Sequence, residues 1–236
     1  TIESYDTTTI RASVGNYLIG KYIKENSNAK VIFNGDGSDE LMGGYLYFNA
    51  APTSEEFDKE CKRLLTDIHY FDVLRSDRCI STHGLEPRTP FLDFNWVTSY
   101  LSIPKNIRCH SSSNNCEKFL IRNAFNILEP DLLPKKILWR TKEAFSDGVS
   151  SLNKSWFKII DEKVTQLYMS DSIKKEINPY LKNNDTTLEK AYYRYLFDCN
   201  YKNHENIIPY LWMPKFIDAS DASARTLPFY TKNNHY

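Results

Sequence analysis

The stretch from Val31 to Tyr45 constrains this chain more than any other. A short apolar run, Val31-Ile32-Phe33, breaks into Asn34-Gly35-Asp36-Gly37-Ser38-Asp39-Glu40, and Leu41-Met42-Gly43-Gly44-Tyr45 follows. A β-branched start and an Asn-Gly stop read as a buried strand ending abruptly. Ser38, with acids just behind it, reads as the N-cap of a helix. Strand, glycine-rich turn and helix start bring free backbone N–H groups and a positive dipole end to one point. In an open α/β sheet that point is the crevice at the carboxyl ends of the strands, where ligands bind. Asp36, Asp39 and Glu40 add negative charge, which suits a bound Mg²⁺ or a substrate ammonium. A tight turn leading into a well-capped helix is the plainer reading of the same residues.

The flanking sequence fits around this loop. Thr7-Thr8-Thr9 offers caps for a helix with Ile10, Val14, Tyr17, Leu18 and Tyr22 as its apolar face, and Asn26-Ser27-Asn28 ends it. A helix feeding the strand at Lys30 to Phe33 is half of a βαβ unit, so a parallel sheet is predicted, with its earlier strands outside this chain. Thr53-x-x-Glu56 is a capping box for a long helix carrying Cys61, Leu64, Leu65, Ile68, Phe71 and Leu74 on one face. His83 to Asp93 reads as a loop pinned by Pro87 and Pro90, with Asp93 either aimed at a ligand or capping Phe94 to Tyr100. His83 itself reads as a polar turn residue. Asn114 or Asn115 caps a helix with Leu120, Ile121, Ala124 and Leu128 inward. The run from Leu138 to Gly148 has no clean period and reads as a loop. Taken alone, its Lys142, between Arg140 and Glu143, could belong to a solvated salt-bridged face. A helix through Leu152, Trp156, Ile159, Ile160 and Val164 follows, then a surface connection near Asn178 to Asp185. Thr186-x-x-Glu189 caps a last helix with Leu188, Ala191, Tyr192, Tyr195, Leu196 and Cys199 in line.

Charge and cysteine usage narrow the function classes. Thirty basic residues cancel thirty acidic ones, so no long-range charge argues for nucleic acid or an anionic membrane. Five dispersed cysteines, without a Cys-x-x-Cys pair, read as reduced thiols of a cytoplasmic protein, not as a disulfide framework or zinc site. No apolar run reaches transmembrane length. No Ser/His/Asp or Cys/His pair has neighbours that suggest nucleophilic catalysis.

In their order and spacing, several stretches resemble the C-terminal part of the synthetase domain of glutamine-dependent asparagine synthetases, most closely the eukaryotic type. They are Tyr5 to Ser13, Gly35 to Leu41 with Gly43-Gly44-Tyr45, Phe71 to Arg75, Gly84-Leu85-Glu86, Pro90 to Asp93, Trp139-Arg140 with Lys142 to Gly148, Trp212 to Lys215, and Ser223 to Leu227. The resemblance spans nearly the whole chain, 1–236, and no glutaminase domain or Ser-Gly-Gly-x-Asp-Ser pyrophosphate loop lies within it. The chain is therefore expected to be a fragment, or one piece of a split enzyme, inactive alone. The resemblance implies an adenine-nucleotide α-hydrolase-like (Rossmann-type) α/β fold, largely helical after the first strand. It also implies a two-step reaction. Aspartate attacks ATP to give β-aspartyl-AMP and pyrophosphate, and ammonia from a glutaminase domain, in cis or in trans, then yields asparagine and AMP.

By motif position, Asn34, Gly35, Gly37 and Ser38 would meet the nucleotide, and Asp39 would ligate Mg²⁺. Lys142 would neutralise developing phosphate charge, and Asp93 would line the aspartyl or ammonia side. Asp36 would stand where the family has a glutamate important for forming the intermediate. Two departures stand out: the family's Ser-Gly-Glu-Gly is Asn34-Gly35-Asp36-Gly37 here, and its Asp-Pro-Ser-Ala-Arg is Asp221-Ala222-Ser223-Ala224-Arg225. The resemblance is compatible with a homodimer of the complete enzyme. The alternatives are a β-lactam-synthetase-like adenylating ligase and a non-catalytic remnant or partner subunit of a synthetase.

Overall fold

The computed structural model describes residues 1–111, 116–151, 153–181, 186–204, 206–228 and 230. In chain order its elements are α1 (Thr7–Asn26), β1 (Val31–Phe33), α2 (Ser38–Met42), α3 (Ser54–Asp67), α4 (Asp72–Ser81), β2 (Glu86–Arg88) and α5 (Phe94–Ser102). They continue with α6 (Lys105–Arg108), α7 (Phe119–Leu128), α8 (Lys135–Leu138), α9 (Phe145–Gly148), α10 (Trp156–Tyr168), α11 (Asp171–Ile177) and α12 (Leu188–Asn200). The described chain is mostly helical with one small parallel sheet, consistent with an α/β fold.

β1 and β2 pair in parallel, with Val31 opposite Glu86 and Phe33 opposite Arg88. Glu86 N–H to Lys30 carbonyl (2.7 Å) and Asn34 N–H to Arg88 carbonyl (2.9 Å) extend the ladder at each end. The segment predicted as a loop from His83 to Asp93 thus holds a strand at its centre; Pro87 masked it, since proline is tolerated only at sheet edges. Burial of β1 is also overturned. Val31 and Phe33 are 43% and 76% exposed, because a two-stranded sheet has little surface with which to cover them.

The Cα framework divides into two compact units. The first comprises Thr1–Ala29, Leu74–Leu85 and Ala144–Trp212. Here α1 is capped by Asp6, not by the predicted threonines. The fully buried Asp6 carboxylate accepts Thr9 N–H (2.8 Å) and Trp212 N–H (2.7 Å). The rotation of α1 also differs from expectation. Arg11 turns inward to form a buried bidentate pair with Glu189 of α12 (2.9 and 2.5 Å), and the Arg11 carbonyl accepts Trp156 Nε1–H (3.2 Å). A buried pair of charges is costly to break, so it fixes which face points in. Gly15, one turn on, lets the Phe145 ring approach to 2.5 Å from where a Cβ would stand. Val14, Tyr17, Leu18 and Tyr22 consequently face outward, Leu18 and Tyr22 at 58% and 64% exposure.

Thr187, one residue later than predicted, caps α12 by accepting Lys190 N–H (3.3 Å), while Glu189 serves the Arg11 pair. Ala191 and Phe197 point inward and Leu196 and Cys199 outward. Phe197 packs edge-on against Tyr5, with ring centroids 5.0 Å apart. On α10 Val164 is the buried residue; Leu152 lies outside the described residues. The predicted surface connection opens with a 3₁₀ turn at Asn178–Tyr180, and its part from Lys182 to Asp185 also lies outside them.

The second unit comprises Lys30–Val73, Glu86–Glu143 and Met213–Tyr236. Thr53 caps α3 as predicted, accepting Glu56 N–H (3.2 Å). The helix ends at Asp67, however. A 3₁₀ turn at Ile68–Tyr70 and the non-helical Phe71 (φ −125°, ψ −97°) separate it from α4, dividing the single long helix that was predicted. Leu41, Met42 and Tyr100 form a core against which Leu65, Trp96, Leu120 and Ile121 pack. Ala124 and Leu128, predicted inward, are exposed. The predicted caps Asn114 and Asn115 lie outside the described residues, and α7 starts after Lys118, whose backbone is left-handed (φ 56°). Of the run from Leu138 to Gly148 predicted as a loop, Trp139 to Ala144 is irregular, but Leu138 closes α8 and Phe145–Gly148 form the single turn of α9.

Candidate functional site

The site grows out of the β1–α2 turn. Asn34 Oδ1 accepts Asp36 N–H (3.1 Å), a local bond that turns the chain immediately after the strand. Gly37 has φ +88° and stands so close to Leu92 that a Cβ would overlap that side chain. Gly37, not Ser38, is therefore the N-cap residue of α2, and Ser38 is the first helical residue, without a side-chain cap bond. The expected serine cap is corrected by the left-handed backbone that only glycine accepts readily.

Asp39, in the first turn of α2, receives two lysines from distant sequence. Lys118 Nζ lies 2.7 Å from Oδ1 and Lys142 Nζ lies 2.5 Å from Oδ2. Gly44 makes room for this carboxylate, since a Cβ there would overlap Asp39 Oδ1. Burial alone would raise the Asp39 carboxyl, but Lys142 and Lys118 outweigh it and hold the group well below the ordinary carboxylate range. Burial likewise works against the Lys142 ammonium, and Asp39 more than offsets it, raising that group above its usual value. One carboxylate thus faces two ammonium groups.

Next to it sits an acid of opposite tendency. Glu40 is buried; desolvation, then the charges of Asp72 and Asp39, push its carboxyl well up and favour its neutral form. Tyr45 hydroxyl bonds Glu40 and lies 3.4 Å from Asp72 Oδ2. The Lys142 ammonium stands 5.7 Å from the Tyr45 ring centroid. An open cleft of about 330 Å³ adjoins Ser38, Lys118, Arg122 and the apolar Phe91, Phe125 and Leu138.

Asn34, Gly35, Asp36, Gly37, Ser38 and Asp39 are thus contiguous on one turn, and the fold brings Lys142 to them across 103 residues. Asp93 is placed differently. It is exposed and caps α5, accepting Asn95 N–H (2.9 Å) and Trp96 N–H (3.1 Å), and its neighbour Leu92 packs on Gly37. The sequence reading assigns no role to Lys118, Tyr45 or Asp72, although Tyr45 and Asp72 lie in resembling stretches. A lone lysine before a helix carries no pattern that sets it apart from a surface residue.

The family model for asparagine synthase matches residues 1–58 and 49–198. The chain belongs to the asparagine synthase family. It is 46% identical to the asparagine synthetase [glutamine-hydrolyzing] of Gallus gallus, and 47% identical to those of Homo sapiens and Cricetulus griseus, each over 97% of this chain. It spans about 40% of the length of these curated relatives. Within this family member, no three His, Cys, Asp or Glu side chains gather as a metal-ligand set among the described residues. Asp39 is the carboxylate on this turn, and each of its oxygens is held by a lysine ammonium. No helix among the described residues is long and apolar enough to cross a membrane.

Proposed function

We propose that this chain forms the part of an asparagine synthetase that activates the side-chain carboxylate of aspartate with ATP. The products are β-aspartyl-AMP and pyrophosphate, and ammonia then displaces AMP to give asparagine. The observation that carries this reading is the convergence of Lys118 and Lys142 on Asp39 at the start of α2. Adenylation calls for positioning and for neutralised phosphate charge more than for a covalent catalyst. Two partly buried ammonium groups beside a glycine turn supply that. The relatives' names supply the substrate class.

In this reading Lys142 offsets charge on the α-phosphate and the departing pyrophosphate, with Lys118 as the second cation. Asp39 holds both ammonium groups in place and is the residue that would hold a Mg²⁺ ion, which would supply further neutralisation of phosphate charge. The amides and side chains of Asn34, Gly35, Gly37 and Ser38 meet the nucleotide. Asp36 acts in forming the intermediate, and Asp93 lines the aspartyl or ammonia side. A parallel neighbour beside a strand–turn–helix also supports the adenine-nucleotide α-hydrolase-type fold. Ammonia comes from a glutaminase domain, in cis or in trans, in a cytoplasmic enzyme without nucleic-acid or membrane partners, compatible with a homodimer. A β-lactam-synthetase-like activity is not favoured, since the relatives at 46–47% identity are asparagine synthetases.

The test places this chain in the matching segment of the Gallus gallus relative. Lys142→Ala and Lys118→Ala should each lower kcat for aspartate-dependent pyrophosphate release about 10²–10³-fold, the usual loss for one electrostatic stabiliser. Lys142→Arg should recover little, because a planar fork does not replace a compact ammonium. Losses confined to KM would assign the lysines to uniform binding instead, and unchanged kinetics would overturn the reading.

A further inference from the structure

The loop carrying Lys142 is gripped from two sides by groups outside the chemistry above. On one side Glu117 Oε1 accepts the Lys142 N–H (2.7 Å) and Arg122 Nη2–H (3.0 Å). Arg122 also donates to the carbonyls of Leu138 (2.5 Å) and Arg140 (3.0 Å). On the other side is Glu143, the residue after Lys142. Its Oε2 lies 3.1 Å from Arg225 Nη2 and its Oε1 accepts the Tyr230 hydroxyl. Arg225 is itself held. Its side chain is 7% exposed, its guanidinium carbon stands 5.9 Å from the Tyr230 ring centroid, and Ser223 Oγ accepts its N–H (3.3 Å). Asp221 Oδ1 accepts Ser223 N–H (2.7 Å), so the segment from Asp221 is braced by its own short-range bonds.

We propose that Arg225 and Tyr230 form a clamp that sets the position of Lys142 through Glu143, making Arg225, Tyr230 and Glu143 positioning residues. The proposal rests on the reading of Lys142 as the cation of the chemical step. Lys142 projects from backbone that has no helical or sheet ladder to fix it. Its ammonium must nevertheless meet phosphate oxygens closely, and a misplacement near 1 Å at a reacting centre can cost about 10²-fold. Clamping Glu143 fixes the peptide from which Lys142 emerges. The Glu117–Arg122 grip fixes the carbonyls just before it. The clamp reaches the loop from more than 80 residues along the chain.

Two measurements test this together. The first is amide hydrogen exchange on the chain carried in the matching segment of the Gallus gallus relative. Arg225→Ala should speed exchange at residues 139–143 about tenfold or more while leaving α3 and α12 as they were, the mark of local opening. The second is pyrophosphate release with the chain in the matching segment of the Gallus gallus relative. Arg225→Ala should lower kcat about 10²-fold with KM for ATP nearly constant, and Arg225→Lys should restore part of it. Glu143→Gln combined with Arg225→Ala should cost no more than the worse single change, since the two residues share one interaction. Unchanged exchange at 139–143, exchange that rises everywhere alike, or losses that simply multiply would each overturn the clamp. Lys142→Ala separates the two readings. If it leaves kcat intact, the catalytic assignment falls whatever the exchange shows. If it removes turnover while Arg225→Ala alters neither exchange nor rate, the clamp alone falls.

Discussion

At the scale of single residues, the site sets two neighbouring acids against each other. Asp39 is ionised by its lysines, and Glu40 is driven toward neutrality by burial and by Asp72 and Asp39. Their stability effects have opposite signs. A depressed Asp39 contributes stability that is present above its ordinary 3.8 and is lost as pH falls below it. A raised Glu40 does the reverse, costing stability above its ordinary 4.5 and returning it as pH falls through the raised value. Glu40→Gln, which keeps an acceptor for Tyr45, should therefore raise the melting temperature at pH 8 and make no difference near pH 4; equal shifts at both would contradict the assignment. Asn34 and Asp36 are also coupled, since the Asn34 side-chain Oδ1 accepts the Asp36 N–H. The resemblance implies a glutamate, one methylene longer, where Asp36 stands, and the companion departure at Asn34 makes a matched pair the expectation. Asp36→Glu alone should slow pyrophosphate release, and adding Asn34→Ser should restore it; a faster single variant would show the native pair to be unmatched. Of these residues, the acids of the turn were legible as a group because they are contiguous. Lys142 stood out only through the resemblance, because pairing across 103 residues leaves no local pattern. Tyr45 lies in a resembling stretch without an assigned role, and Lys118 lies in none.

At the scale of elements, the β1–α2 turn depends on where glycine is and is not required. Gly37 combines a left-handed backbone with contact to Leu92, whereas a Cβ on Gly35 would meet nothing within 4 Å. Gly37→Ala should destabilise by about 2–5 kcal/mol, adding backbone strain to overpacking. Gly35→Ala should stay within about 0.5 kcal/mol of the parent by thermal or denaturant unfolding. If Gly35 meets the nucleotide, the same Gly35→Ala should still raise KM for ATP, so fold and binding are separable at one residue. The strand, the turn and the Thr53 cap were legible because their signals are local: β-branched residues, Asn-Gly, and Thr with a glutamate three positions on. The rotation of α1 was not. Apolar spacing named Val14, Leu18 and Tyr22 as the inner face, but the Arg11–Glu189 pair and the tight approach of Phe145 at Gly15 decide the packing. The break after Asp67 was missed for a related reason: the apolar period runs on through Phe71 although the backbone does not.

At the scale of the whole molecule, the chain presents apolar surface that a finished α/β domain ordinarily covers. Leu18, Ile19 and Tyr22 on α1, and Phe33 on β1, are each 47% exposed or more. Clefts of about 510 and 780 Å³ run along α1. Such patches favour association. The 236-residue chain alone should therefore self-associate, and Leu18→Glu with Tyr22→Lys should reduce that by light scattering; a monodisperse parent would contradict the expectation. Family membership was legible from motif order, because many short matches in register outweigh the ambiguity of each. The two-unit division was not legible, since each unit is assembled from three separated segments. The central claim is that this chain serves aspartate activation, and ATP–pyrophosphate exchange tests it most directly. With the chain in place of the matching segment of the Gallus gallus relative, exchange should require aspartate and fall about 10²–10³-fold with Lys142→Ala. Exchange that is indifferent to aspartate, or untouched by loss of Lys142, would contradict it.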